Sequence, residues 1–193
     1  MNTNMQSTKR RSADYPRFIG PNEERFFSVI TTPVGKMLLV GDGSSLVELH
    51  LPATTPFEKI TDQYTRDDRV LKPIAEQISA YFSGDLTIFT FGLAPSGTNF
   101  QLSVWNALCD IEYGSTAAYG EVATAIGRPK APRAVGMANH VNPIALVIPC
   151  HRVIGANGAL TGYGGGLDLK RTLLSHEASV RAGDRPNWTK RTR

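Results

Sequence analysis

With 193 residues, 41% of them hydrophobic and 20% charged, the chain has the make-up of a folded globular protein, which excludes a disulfide-stapled miniprotein and a disordered polyelectrolyte. The net charge of +4 is unevenly spread: residues 1–20 hold four basic and one acidic side chain, 21–96 six and ten, 97–177 six and five, and 178–193 five and one. A polyanionic partner is thus expected at the second half and the ends rather than at the acidic first half.

Residues 1–20 read as a basic tail, with Lys9-Arg10-Arg11 most simply a solvated end. Residues 21–92 read as a small domain. Runs 26–30, 36–40 and 45–51 are β-prone, and Thr32-Pro33-Val34-Gly35 and Gly41-Asp42-Gly43 separate them, which predicts an antiparallel meander. A helix over 70–82 follows, since Leu71, Ile74, Ala75, Ile78, Tyr81 and Phe82 recur at helical spacing and Gly84 is placed to end it. Leu93-Ala94-Pro95-Ser96-Gly97, residues 93–97, reads as a linker to a second domain over 98–178, built of short helices. Thr98 or Asn99 caps the first, which carries Phe100, Val104, Trp105 and Leu108, with Cys109 beside that face as a structural thiol. A second helix is expected from Thr116 through Tyr119, Val122, Ala123 and Ile126 to Gly127, and a third over 131–139. Joined by Gly127-Arg128-Pro129-Lys130, the two suggest a helix-turn-helix. A last helix over 168–178 shows Leu169, Leu173 and Leu174 on one side and Glu177 near its end, and 179–193, with Lys190-Arg191, reads as a second basic tail. The fold class is α+β.

The chemistry concentrates at 142–154, where an apolar strand is expected to end at Pro149, followed at once by Cys150, His151 and Arg152. A thiol attacks as thiolate, and adjacent imidazole and guanidinium groups are the surroundings that lower its pKa, so Cys150 is the candidate nucleophile; the alternative is an inert buried cysteine. Glu177 is the candidate for orienting a base if the last helix packs back on the site, and otherwise an exposed helix-end carboxylate. Neighbours on a strand face opposite ways, so His151 need not touch the sulfur directly, and an intervening water could carry the proton. On the third helix Ala131, Ala134 and Ala138, with Gly136 nearby, make a smooth face beside Arg133. Such a face admits either a narrow DNA groove, with Arg133 inserting where a base has left the stack, or another helix. Tyr119 and Tyr163 offer rings to stack on and hydroxyls to donate. The glycine-rich 161–166 lacks both P-loop and dinucleotide-binding spacing. The longest apolar run, 144–149, is too short to span a membrane, and residues 1–11 lack a signal-like stretch. With two cysteines and four scattered histidines, the reading is a cytoplasmic protein without membrane attachment or a zinc site.

Pro149-Cys150-His151-Arg152-Val153, preceded by Asn142-Pro143 and followed by Tyr163-Gly164-Gly165-Gly166-Leu167 and Leu173-Leu174-Ser175-His176-Glu177, closely resembles the O6-alkylguanine-DNA alkyltransferases, or methylated-DNA–protein-cysteine methyltransferases. The resemblance runs from about Gly97 to Glu177 and includes Tyr119 and Ala131-Pro132-Arg133-Ala134-Val135-Gly136. It implies a ribonuclease-H-like α/β domain followed by a mainly helical, winged-helix-like domain with the helix-turn-helix. It also implies direct-reversal DNA repair: a damaged guanine is flipped out through the minor groove of double-stranded DNA and its O6-alkyl group passes to Cys150, once and irreversibly, with O4-alkylthymine a further candidate substrate. In this pattern His151 acts through a water as base, Glu177 orients His151, and Tyr119 helps protonate the leaving guanine. Arg133 is the intercalating finger on a helix smoothed by Ala131, Ala134 and Gly136. Asn142 braces the turn before the active-site strand, while Val153, Tyr163 and Gly164 line the guanine pocket. Gly164 stands where some relatives have serine, and the zinc ligands of some relatives have no cysteine counterparts here, so no cofactor and no metal are expected. A monomer in solution is expected, with cooperative assembly on DNA left open. The alternatives are a lesion-binding alkyltransferase-like protein, against which Cys150 argues, and a cysteine hydrolase using Cys150, His151 and Glu177, against which Arg133 and the helix-turn-helix argue. A helix-turn-helix regulator would need sequence-specific DNA affinity, whereas weak sequence preference and strong salt dependence are expected here.

Overall fold

The structure, a computed structural model, describes Phe18 and residues 24–52 and 57–188. The expected meander is present as β1 (Phe26–Thr32), β2 (Gly35–Gly41) and β3 (Ser45–His50), paired antiparallel. Two short strands extend it, β4 (Thr65–Arg66) alongside β1 and β5 (Gly92–Leu93) alongside β3, both parallel, giving the order β4-β1-β2-β3-β5. A single helical turn, α1 (Glu58–Thr61), helps cover one face, where Ile60 meets Leu38 and Val40. The other face takes α2 (Lys72–Ser83), whose Ile74, Ile78, Tyr81 and Phe82 are buried, and Gly84 ends the helix in the left-handed conformation its spacing suggested.

The second half begins with α3 (Asn99–Cys109), capped by Thr98, whose hydroxyl accepts from Gln101 N while the Gln101 side chain bonds back to Thr98 N. The helix-turn-helix is α4 (Tyr119–Ala125) and α5 (Pro132–His140), and the positive φ of Gly127 turns the chain between them. The second helix was expected from Thr116. Instead, β6 (Ala117–Ala118) pairs in parallel with β7 (Val153–Ile154), which commits those backbone groups to a two-stranded sheet and delays the helix to Tyr119. The last helix, α6 (Leu167–Arg181), outruns its expected end at 178.

Two other sequence readings are corrected. Residues 144–149 are no strand: Leu146 has φ 81°, Ile148 N bonds to Ile144 O, and the segment is a tight buried loop with isolated bridges. Its apolar character reflects burial, which a strand and a packed loop demand alike. The described part of the expected C-terminal tail is also packed. Trp188 Nε1 donates to Phe82 O at 2.8 Å, and its ring lies 4.7 Å from that of His176. At the other end, Phe18 bridges Leu93 within the expected N-terminal tail; Lys9-Arg10-Arg11 and Lys190-Arg191 lie outside the described residues.

Leu93 and Ala94, at the expected linker, are buried, and one apolar core runs through both halves, from Leu39, Leu46 and Ile78 to Trp105, Leu108, Ile144 and Leu173. Leu49 N of β3 also donates to Pro143 O, which ties the sheet to the loop before Cys150. No described helix is long and apolar enough to cross a membrane.

Candidate active site

Cys150, His151 and Arg152 form a single 3-10 turn between the buried loop and β7, and all three are buried. Asn142 shapes the approach: its Nδ2 donates to Ile148 O at 2.8 Å and its Oδ1 accepts from Ile144 N at 3.0 Å, so one side chain closes the loop that delivers Cys150. Burial pushes the thiol up to about 11. A hydrogen bond from Asn142, the charge of Lys170 and the main-chain N–H groups of Cys150 and His151 oppose that rise, and all favour thiolate. The expectation that Arg152 would activate the thiol is not met: its guanidinium bonds Glu177 and the Ile111 carbonyl, and the charge that acts on Cys150 is that of Lys170.

Glu177 is fully buried rather than a helix-end carboxylate, because α6 continues another turn beyond it. Its Oε1 accepts from His151 Nε2 at 2.8 Å, Tyr81 Oη at 2.9 Å and Arg152 Nη2 at 3.0 Å; its Oε2 accepts from Arg152 Nε at 2.9 Å and Gly114 N at 3.0 Å. Burial alone would raise the Glu177 pKa, but the His151 and Arg152 contacts hold it well below the usual carboxylate range. Arg152 already matches that single negative charge, so burial keeps His151 below its ordinary value, with Glu177 opposing. A neutral imidazole with Nε2–H on Glu177 leaves Nδ1 as an acceptor, and Nδ1 is buried with no hydrogen-bond partner among the described protein atoms.

Lys170 is the residue that sequence reading missed. Its side chain is buried, with Nζ donating to Val153 O at 2.6 Å and Thr161 O at 2.7 Å, and its charge acts on Cys150. The signal was present, since Lys170, Leu173 and Glu177 fall at i, i+3 and i+7 on one helical face. The buried face of α6 is in fact Lys170, Leu173, His176 and Glu177, while Leu169 and Leu174 are half-buried.

Lys170 fastens the glycine-rich stretch to β7, bringing Tyr163 over the site: its ring lies 6.4 Å from that of His151, and its hydroxyl is buried without a partner among the described residues. Val153 is buried beside the turn. Gly164 is exposed, and a Cβ there would meet nothing within 4 Å. Tyr119, at the start of α4, holds Thr161 loosely, its hydroxyl 3.5 Å from Thr161 O and 3.3 Å from Thr161 Oγ1.

The smooth face expected on α5 divides. Ala138 turns inward with Val135, and Trp105 Nε1 donates to Ala138 O at 2.9 Å, so helix packing accounts for that alanine. Arg133 and Ala134 are exposed, Ala131 is half-buried at the N-cap, and Gly136 lies under the Tyr119 ring, where a Cβ would stand 3.7 Å from Cε1. Met137 and Val141 continue the exposed face. Cys150, His151, Glu177, Asn142, Val153 and Tyr163 are thus gathered in one place, Tyr119 joins them through Thr161, and Arg133 stands apart on the outer face of α5. Cys109, whose thiol burial raises to about 12, is packed in the core.

The family pattern described as the ribonuclease-like domain of 6-O-methylguanine DNA methyltransferase matches residues 26–95, and the one described as its DNA binding domain matches 99–179. A methylated-DNA–protein-cysteine methyltransferase of Methanosarcina acetivorans is 47% identical over 80% of this chain and 99% of its own length. One from Mycobacterium bovis is 48% identical over 82% and 95%. Among solved structures, Mycobacterium tuberculosis OGT in complex with DNA superposes with a TM-score of 0.75 at 47% identity, covering 80% of this chain and 94% of that one. Both halves are matched at that level, and the chain belongs to the 6-O-methylguanine DNA methyltransferase family.

Proposed function

We propose that this protein repairs alkylated DNA by direct reversal, taking the alkyl group of O6-alkylguanine onto Cys150 in a single irreversible turnover. The observation that carries the reading is the buried turn in which Cys150 is followed directly by His151, whose imidazole is held by Glu177, in a chain of this family. His151 Nδ1, through a water, takes the thiol proton; the sulfur lone pair forms the S–C bond as the C–O6 bond breaks, and the electron pair stays on the guanine. Tyr119 gives that guanine a proton, and the proton on His151 restores the tyrosine. Glu177 fixes the imidazole tautomer. The product is a thioether, a far poorer leaving group than a thioester, so the protein acts once. No cofactor enters, because the alkyl group arrives on the DNA.

Double-stranded DNA is held through its minor groove by α5, where Ala131, Ala134 and Gly136 let the backbone approach and Arg133 fills the gap left by the flipped base. Asn142 braces the turn, and Val153, Tyr163 and Gly164 line the guanine pocket. The division into a domain over 21–92, a linker over 93–97 and an alkyl-accepting domain over 98–178, a monomeric state and a cytoplasmic setting belong to the same reading. Replacing Cys150 with Ser tests it: transfer from an O6-methylguanine duplex is lost while duplex binding is kept, and transfer at the normal rate would overturn the assignment.

A further inference from the structure

Among the described residues, four of the five hydrogen bonds to the Glu177 carboxylate come from the second half of the chain, from His151, from Arg152 twice and from Gly114; the fifth comes from Tyr81 on α2, in the first half. A carboxylate offers about four lone-pair sites, so five donors compete for it. Tyr81 and His151 share Oε1, at 2.9 and 2.8 Å. We propose that Tyr81 is a positioning residue for alkyl transfer, through which the N-terminal domain sets how strongly Glu177 holds the His151 imidazole. The inference rests on the function proposed above.

Packing alone does not require this hydroxyl. The Tyr81 ring is fixed by Phe82, Phe89, Tyr113 and His176, with centroids 5.1 to 5.8 Å away, so phenylalanine would fill the same space. A fully buried hydroxyl is costly unless bonded, and this one is spent on the carboxylate that holds the candidate base. Burial and the Glu177 charge keep the phenol protonated, so it donates at every working pH. The remaining groups facing Glu177 and His151 are Tyr113 before α4, Cys150 and Arg152 in the turn, Tyr163 in the glycine-rich stretch, and Lys170 and His176 on α6. Arg152 and Lys170 are the positive charges among them, and Tyr81→Phe moves neither.

Removing the Tyr81 donor leaves Oε1 more available to Nε2–H, which stabilises the imidazolium and raises the His151 pKa. His151 takes the thiol proton only when neutral, so the acid limb of the transfer rate moves to higher pH, by about half a unit. The test is single-turnover transfer from an O6-methylguanine duplex between about pH 5.5 and 9 for the wild type and Tyr81→Phe. The expected result is that upward shift with duplex affinity unchanged. A superimposable profile, whatever happens to the plateau rate or melting temperature, reduces Tyr81 to packing and overturns the inference. Incorporating 3-fluorotyrosine at position 81 keeps the fold and strengthens the donor, and it is expected to move the limb the opposite way. If the wild type itself transfers nothing, the functional reading fails separately. NMR titration of His151 in both proteins still decides the inference, since equal imidazole pKa values would overturn it.

Discussion

Arg152 and Lys170 exchange the roles that chain order alone would assign them. Arg152 lies two residues from the candidate nucleophile Cys150 yet bonds Glu177, whereas Lys170, 20 residues away in the chain, supplies the positive charge that acts on the thiol. Adjacency in sequence showed which residue types were at hand, but only the 3-10 turn fixes where each side chain points. Glu177→Gln leaves the Arg152 guanidinium buried opposite a neutral amide and frees the imidazole to change tautomer. Transfer is expected to slow by about a hundredfold, with a loss of about 3 kcal/mol in stability. Single-turnover rates across pH, taken well below the melting temperature, separate the two effects, and an unchanged pH profile removes Glu177 from the proton path. Arg133, exposed and without a hydrogen bond or ion pair to the described residues, has no visible structural task. Arg133→Ala is expected to slow repair of duplex DNA by about tenfold or more while sparing reaction with the free base O6-methylguanine; equal losses on both would make its role structural.

At the level of elements, strongly periodic or punctuated segments were legible: the meander, α2 with its Gly84 stop, a cap at Thr98 or Asn99 that the structure gives to Thr98, and the two helices around Gly127. Two kinds of feature were not. The short strand β6 forms only because β7 lies beside it, a tertiary pairing with no local signature. The loop before Cys150 has the hydrophobicity of a buried strand, and its reversal at Leu146 depends on bonds made by Asn142. Asn142→Ala removes both bonds and the contact to the thiol, leaving main-chain groups unpaired at a cost of about 1–3 kcal/mol. A fall of about 5 °C in melting temperature is expected, together with a drop of more than tenfold in transfer rate. A stable variant with full activity would show that the loop holds its shape without that side chain.

Across the whole molecule, the two halves share one core and meet at Glu177, and the stretch after α6 returns to place Trp188 against Phe82 and His176. That arrangement makes the fold sensitive to acid. Burial keeps His151 and His176 below their ordinary value, and the His151 and Arg152 contacts keep Glu177 below its own, so all three bind protons less readily folded than unfolded and stability rises with pH. The imidazole contribution is complete above 6.5 and is lost as pH falls below it; that of Glu177 is complete above 4.5 and is lost below. Calorimetry is expected to show a melting temperature lower by about 3 °C or more at pH 5 than at pH 7.5, with His176→Phe blunting the drop; a flat wild-type curve would mean the imidazoles are not buried neutral. The measurement that bears most directly on function is intact-protein mass spectrometry with peptide mapping after mixing the protein with excess O6-methylguanine duplex. The expected result is one methyl group per molecule, on Cys150, with no further turnover; tight binding with no change in mass, or a methyl group on another residue, would contradict it.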